Sequence, residues 1–201
     1  MKREGLDDQG SYFSINQVSG TAPILFCHGV GLSSKIWYPQ INFFENKQTT
    51  IVYDLLNHGY TTSYSRDLNF DDFSSQIDGL LQYLQYPKVN IVGFSLGALI
   101  TAHYASIHSN KVNKIVLFGS IHKRSKSQQE SAQQRYEEVT DNYFDIPNQL
   151  QRWFNENYLN KNKQDADLIS EILSSNNHQD FLRAYKPVSY THLRAHETAV
   201  N

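Results

Sequence analysis

Cysteine occurs once in the 201-residue chain, at Cys27, so no internal disulfide can form. Charge of one sign is also scarce. The formal net charge is -2, and the lysines and arginines are scattered rather than striped, which excludes an electrostatic case for nucleic acid or an anionic membrane. No apolar run approaches the roughly 20 residues a membrane span needs. The amino terminus, Met1 to Asp8, carries two basic residues with no apolar stretch behind them and does not read as a signal peptide. Cys/His ligand spacing and a phosphate-binding glycine loop are both missing, so no metal or organic cofactor is implied. The expectation is a cytoplasmic protein in which Cys27, inside the run Ile24-Leu25-Phe26-Cys27, is a small buried hydrophobe.

What is present is an alternation of short β-rich runs and helical patterns. Hydrophobic residues make up 39% of the chain, ordinary for a globular core. Tyr12 to Val18 alternates weakly and suits an edge strand. Ile24 to Cys27, Thr49 to Tyr53, Val89 to Val92 and Lys114 to Phe118 are continuous apolar runs of the kind buried on both faces of a parallel sheet. Between them, Trp37, Ile41 and Phe44 fall at helical spacing. So do Phe73, Ile77, Leu80, Leu81 and Leu84, with Asp71 and Asp72 at the end where negative charge suits the helix dipole. Gly97 to Ile107 is a further helix. The fold class is therefore α/β, a mostly parallel sheet with helices on both faces.

After Ser120 the texture changes. Gln128 to Val139, Pro147 to Tyr158 and Asp165 to Tyr185, with a break near Asn176-Asn177, are helical and polar. The division expected is a core over 1–120, a helical cap over 121–187, and a tail over 188–201. That tail begins VSYTHLRAHET, which resembles the translation of a transposon-based sequencing adapter. On that reading Val188 onward is foreign, His192 and His196 are not functional candidates, and the natural frame continues beyond Pro187 into another strand.

The most specific signal is Gly93-Phe94-Ser95-Leu96-Gly97, a G-x-S-x-G placed between an apolar strand and a helix. In this context a sharp strand-to-helix turn lifts the serine hydroxyl above the sheet, and the flanking glycines permit close chain approach. His28-Gly29-Val30-Gly31 follows the strand that ends at Cys27. Acyl transfer needs two donors for a developing oxyanion, and the amides of Leu96 and Val30 are the candidates, with His28 shaping the loop rather than acting as base.

Three segments together, PILFCHGVGLSSKIW, IVYDLLNHGYT and VNIVGFSLGALIT, resemble the α/β-hydrolase fold family in order and spacing, over about Tyr12 to Pro187. The nearest branch is that of lidded esterases, lactonases and carbon–carbon bond hydrolases. Asn57 stands where that family usually has glycine, and asparagine tolerates the left-handed backbone such a turn needs. The resemblance implies Ser95 as nucleophile, a small ester-like substrate, no cofactor, and an acid and histidine that follow later in the chain. Neither partner has a position before Pro187. His103, His108, His122 and His178 are poor substitutes for the missing base. The chain as it stands is then expected to be inactive and to expose an apolar sheet edge. A hydrolase-like binding protein, or acyl transfer or carbon–carbon cleavage on the same site, are the alternatives. Trp153, Phe154, Tyr158 and Phe181 are aromatics that could face either substrate or core.

Overall fold

The computed structural model describes residues 1–120, 125–141 and 145–190. His122 and the 191–201 stretch, which holds His192 and His196, lie outside them. Six strands form one sheet: β1 (Lys2–Leu6), β2 (Tyr12–Asn16), β3 (Ile24–Cys27), β4 (Thr50–Tyr53), β5 (Val89–Phe94) and β6 (Val112–Phe118), in the order β1-β2-β4-β3-β5-β6. Strands β4, β3, β5 and β6 are parallel, and β1 and β2 join antiparallel at one edge. Strand β1 has no mark in the sequence. It pairs Lys2 with Asn16 through Leu6 with Tyr12 but is exposed along most of its length, so no hydrophobic period marks it.

Continuous apolar strands imply burial on two faces, and the side chains divide accordingly. Leu25, Cys27, Ile51, Tyr53 and Ile91 face one core, shared with helices α2 (Phe70–Tyr83) and α3 (Leu96–Ile107) through Phe73, Ile77, Leu80 and Ile100. Ile24, Phe26, Val52, Val92 and Phe94 face a second, smaller core. It is closed by Trp37 and by Ile41 and Phe44 of α1 (Tyr38–Phe44). Helix α2 begins where its charges suggest: Asn69 and Asp72 form a reciprocal capping box, satisfying amides that would otherwise lack partners. Cys27 is fully buried, and that burial pushes its thiol up to about 12.

Strand β6 departs from its neighbours. Its run reads like a central strand, yet Ile115, Val116, Leu117 and Phe118 are all exposed, and its outer edge is unpaired among the described residues. That is the apolar edge the sequence reading anticipated, a surface prone to edge-to-edge association.

Residues 125–190 are helical throughout the described part: α4 (Lys126–Asp141), α5 (Ile146–Trp153), α6 (Glu156–Lys161), α7 (Lys163–Ser175) and α8 (His178–Tyr190). The break at Asn176-Asn177 falls where expected. A second break, at Phe154-Asn155, was not anticipated; Asn155 starts α6 by accepting the Tyr158 N–H. The last helix runs past its expected end at Tyr185, because α8 continues through Pro187 to Tyr190. A proline there has no N–H for the Arg183 carbonyl. That carbonyl instead accepts the Leu68 N–H at 3.4 Å, so the helix loses one internal bond and gains a link to the core.

Candidate active site

The parallel order places the loops after β3, β4 and β5 at one end of the sheet, beside the point where successive connections leave in opposite directions. Ligand sites of open α/β sheets form in such crevices. Ser95 follows β5 and stands at the residue before α3, with φ 53° and ψ -115°. Positive φ is rare for serine and costs of order 1–3 kcal/mol. The turn is held by the Ser95 N–H donating to the Phe118 carbonyl at 3.0 Å and by the Ser95 carbonyl accepting from Ala98 and Leu99. Its hydroxyl neither caps the helix nor bonds to any described residue.

The glycines explain why this turn can close. A Cβ on Gly93 would sit 2.4 Å from the Gly97 carbonyl oxygen, and one on Gly97 would sit 2.2 Å from the Cys27 carbonyl oxygen. Gly29 lies against the serine itself, where a Cβ would be 3.1 Å from the Ser95 Cβ. Leu96 opens α3, so its N–H has no acceptor within the helix. The Val30 N–H has none among the described residues either. Among the described residues the Ser95 hydroxyl and the Leu96 and Val30 amides thus have no partner, and Ser95 and Val30 line one cavity.

The loop carrying Val30 is held by two buried histidines in a reciprocal arrangement. The Leu55 N–H donates to His28 Nε2 at 3.0 Å, and the Gly31 N–H donates to His58 Nε2 at 2.9 Å. Each ring's Nδ1 faces a carbonyl, Gly29 for His28 at 2.8 Å and Leu56 for His58 at 2.9 Å. Both rings must therefore carry the proton on Nδ1 and keep Nε2 bare. Burial holds His28 down to about 4 and, with the neighbouring His28 ring as a lesser cause, His58 down to about 3. His28 and His58 are equal partners in this arrangement, each accepting one amide of the facing loop.

Asp54 ties the same loops. Its carboxylate accepts the Ser34 and Tyr60 N–H groups at 2.7 and 2.9 Å. Asn57 adopts φ 62°, as a residue at a glycine position must. Its side chain then does what glycine cannot: Oδ1 accepts the Tyr64 N–H at 2.6 Å, and Nδ2 donates to the Tyr64 carbonyl and to the Asp180 carbonyl of α8. Asn57→Ala keeps the left-handed strain and leaves the Tyr64 amide unpaired, so a loss of about 2–3 kcal/mol is expected in urea unfolding. Asn57→Gly should cost less than Asn57→Ala.

A cavity of about 260 Å³ opens above Ser95, lined also by Val30, by Arg135, Glu138 and Val139 of α4, by Gln149, Arg152 and Trp153 of α5, and by Phe181, Tyr185 and Val188 of α8. Of the four aromatics in question, Trp153 and Phe181 face the cavity. Phe154 instead stacks on Tyr158, whose hydroxyl donates to Asp165. The arginines were not singled out from the sequence, since a polar helix face has the same spacing whether it meets solvent or a cavity. Among the described residues no histidine lines this space: His103 bonds Asp71, His108 packs on Tyr104, and His178 reaches the Val139 carbonyl. The same residues contain no cluster able to hold a metal and no helix long and apolar enough to cross a membrane.

These features define a class: residues 22–190 match the alpha/beta hydrolase fold family, and the chain belongs to it. Within that class it is 31% identical over 139 residues to the (E)-2-((N-methylformamido)methylene)succinate hydrolase of Acinetobacter baylyi, covering 69% of this chain and 53% of that protein. To 3-oxoadipate enol-lactonase 2 of the same organism it is 26% identical over 119 residues, covering 59% and 44% respectively. The chain thus spans about half the length of these curated relatives. A solved hydrolase from Pseudomonas aeruginosa superposes with a TM-score of 0.82 over 97% of this chain and 75% of that one, at 16% identity, a likeness of fold.

Proposed function

We propose that the protein is a serine hydrolase acting on a carboxylic ester-like bond of a small molecule, such as an ester or lactone. The observation carrying this reading is Ser95 itself: a strained residue whose free hydroxyl stands with the uncommitted Leu96 and Val30 amides. Ser95 Oγ attacks the carbonyl carbon, and the two amides bind the oxyanion that forms. The bond to the leaving oxygen then breaks, that oxygen takes a proton, and water later releases the acyl group. The helices over Ser95 act as a cap that encloses the substrate. The relatives, one named a hydrolase and the other an enol-lactonase, support hydrolysis as the reaction type.

The hydroxyl proton needs an acceptor, and no histidine is at hand among the described residues. The general base and its acid partner are assigned to chain outside them. Without that base the cavity retains substrate binding and oxyanion stabilisation, which in a serine protease leave about 10³–10⁴-fold over water. The expected result with a p-nitrophenyl ester is slow acylation confined to the peptide holding Ser95, read by mass spectrometry. The adduct should persist, because deacylation needs the same base, and it should vanish in Ser95→Ala. Modification spread over lysines, and equal in Ser95→Ala, would remove the nucleophile assignment. It would favour a second reading, ligand binding without turnover.

A further inference from the structure

We propose that the cavity above Ser95 contains an anion subsite, formed by Arg135 and Arg152, that receives a carboxylate group of the substrate. The proposal rests on the reading of Ser95 as nucleophile and adds the substrate's chemical class.

The argument begins with where arginines find partners. Arg66 forms two hydrogen bonds to the Asp72 carboxylate at 2.6 and 2.8 Å. Arg183 pairs with Asp180 at 3.0 Å, and Arg3 lies over the rings of Phe13 and Tyr83. The two remaining described arginines, Arg135 and Arg152, have neither a hydrogen bond nor an ion pair, and both line the Ser95 cavity. They come from different helices, α4 and α5, so their meeting is a product of the fold and not of sequence spacing. Glu138 is the single acid among the lining residues and accepts from Gln134 at 2.9 Å. Two guanidinium charges against one carboxylate leave the space with one positive charge.

A guanidinium presents parallel N–H donors matched to the two oxygens of a carboxylate, and the match strengthens where protein shields it from water. Arg135 is half-buried and Arg152 exposed, so the protein shields the first more than the second. Trp153, Phe181 and Val139 add apolar wall to the same cavity. At about 260 Å³ the cavity falls below the ~300–1,000 Å³ typical of sites for drug-sized ligands. The fitting substrate is a short carbon chain with an ester or lactone carbonyl toward Ser95 and a free carboxylate toward the arginines.

Isothermal titration of the 201-residue chain with monomethyl glutarate and with dimethyl glutarate tests this without requiring turnover. The half-ester, which keeps one carboxylate, should bind about tenfold more tightly than the neutral diester, the worth of one charged hydrogen-bonded contact. Arg135→Gln and Arg152→Gln should each erase most of that preference, bringing the half-ester close to the affinity of the diester for the same variant. Glutamine is a good helix former, so neither change strains its helix. Arg135→Lys should keep part of the preference, since charge remains but the fork is lost. Equal affinities for the two esters, no binding of the half-ester, or a preference that survives in the double Gln variant would each overturn the subsite. The two readings fail separately. A half-ester preference that depends on the arginines, in a chain whose Ser95 is not acylated by the p-nitrophenyl ester, removes the nucleophile and leaves the anion subsite.

Discussion

Gly97→Ala is expected to lower the unfolding free energy by about 3 kcal/mol or more, toward the upper end for overpacking and a large part of the 5–15 kcal/mol typical of a domain. The added methyl would lie 2.2 Å from the Cys27 carbonyl oxygen and 2.5 Å from that of His28. Both are backbone atoms, one in a fully buried strand and one in the loop that the paired histidines hold, so neither can turn aside. Helix α3 must back away from β3, and Ser95 and Leu96 move with it. Urea unfolding reads the stability loss, and acylation of Ser95 by the p-nitrophenyl ester should fall in parallel. A Gly97→Ala chain with the parent midpoint and labelling rate would show that α3 and β3 are not this close. Gly93→Ala should behave similarly, because its Cβ meets the Gly97 carbonyl oxygen at 2.4 Å and the Ala98 Cα at 2.7 Å.

Acid should unfold the protein at the histidine pair. In the unfolded chain both rings titrate near 6.5, whereas in the fold burial holds His28 to about 4 and His58 to about 3. The unfolded state therefore binds more protons between those values. Stability is fully present above about pH 6.5 and declines as pH falls toward 4. Lowering His28 that far corresponds to about 3 kcal/mol at the acid end, with His58 adding to it. Protonation also turns each Nε2 from an acceptor into a donor facing an N–H, of Leu55 or Gly31, so the loop bearing Val30 should be the first part to open. Urea midpoints between pH 7 and 4.5 check the slope. Nitrogen-15 spectra of the imidazoles check the cause, since both rings should be neutral and protonated on Nδ1 at pH 7. A flat stability profile, or Nε2-protonated rings, would contradict the arrangement.

Chain-local physics carried much of this molecule. The runs ending at Cys27, Tyr53 and Val92 declare buried parallel strands because they are apolar without regular alternation. The α2 stripe and its acidic start declare a helix for equally local reasons. Ser95 with glycines two residues away on each side, between strand and helix, already contains the steric logic of its turn, and the φ of 53° follows from it. Asn57 at a left-handed position could also be read from residue type.

Other features had no local mark. Strand β1 exists because β2 offers it a backbone ladder, and an exposed ladder leaves no hydrophobic period. Helix α8 runs past Tyr185 and through Pro187, and Leu68, far away in sequence, supplies a donor to the carbonyl the proline leaves unpaired. His28 and His58 each look like an ordinary core histidine, and only the pairing of the two loops makes each accept the other's amide. Arg135 and Arg152 sit on polar helices whose pattern is the same facing water or facing Ser95. Residue type and spacing determined the strands, the helices and the turn that holds Ser95, because those depend on neighbours within a few positions. Tertiary structure alone decided which distant helices line the cavity at that serine, and so which charges face it.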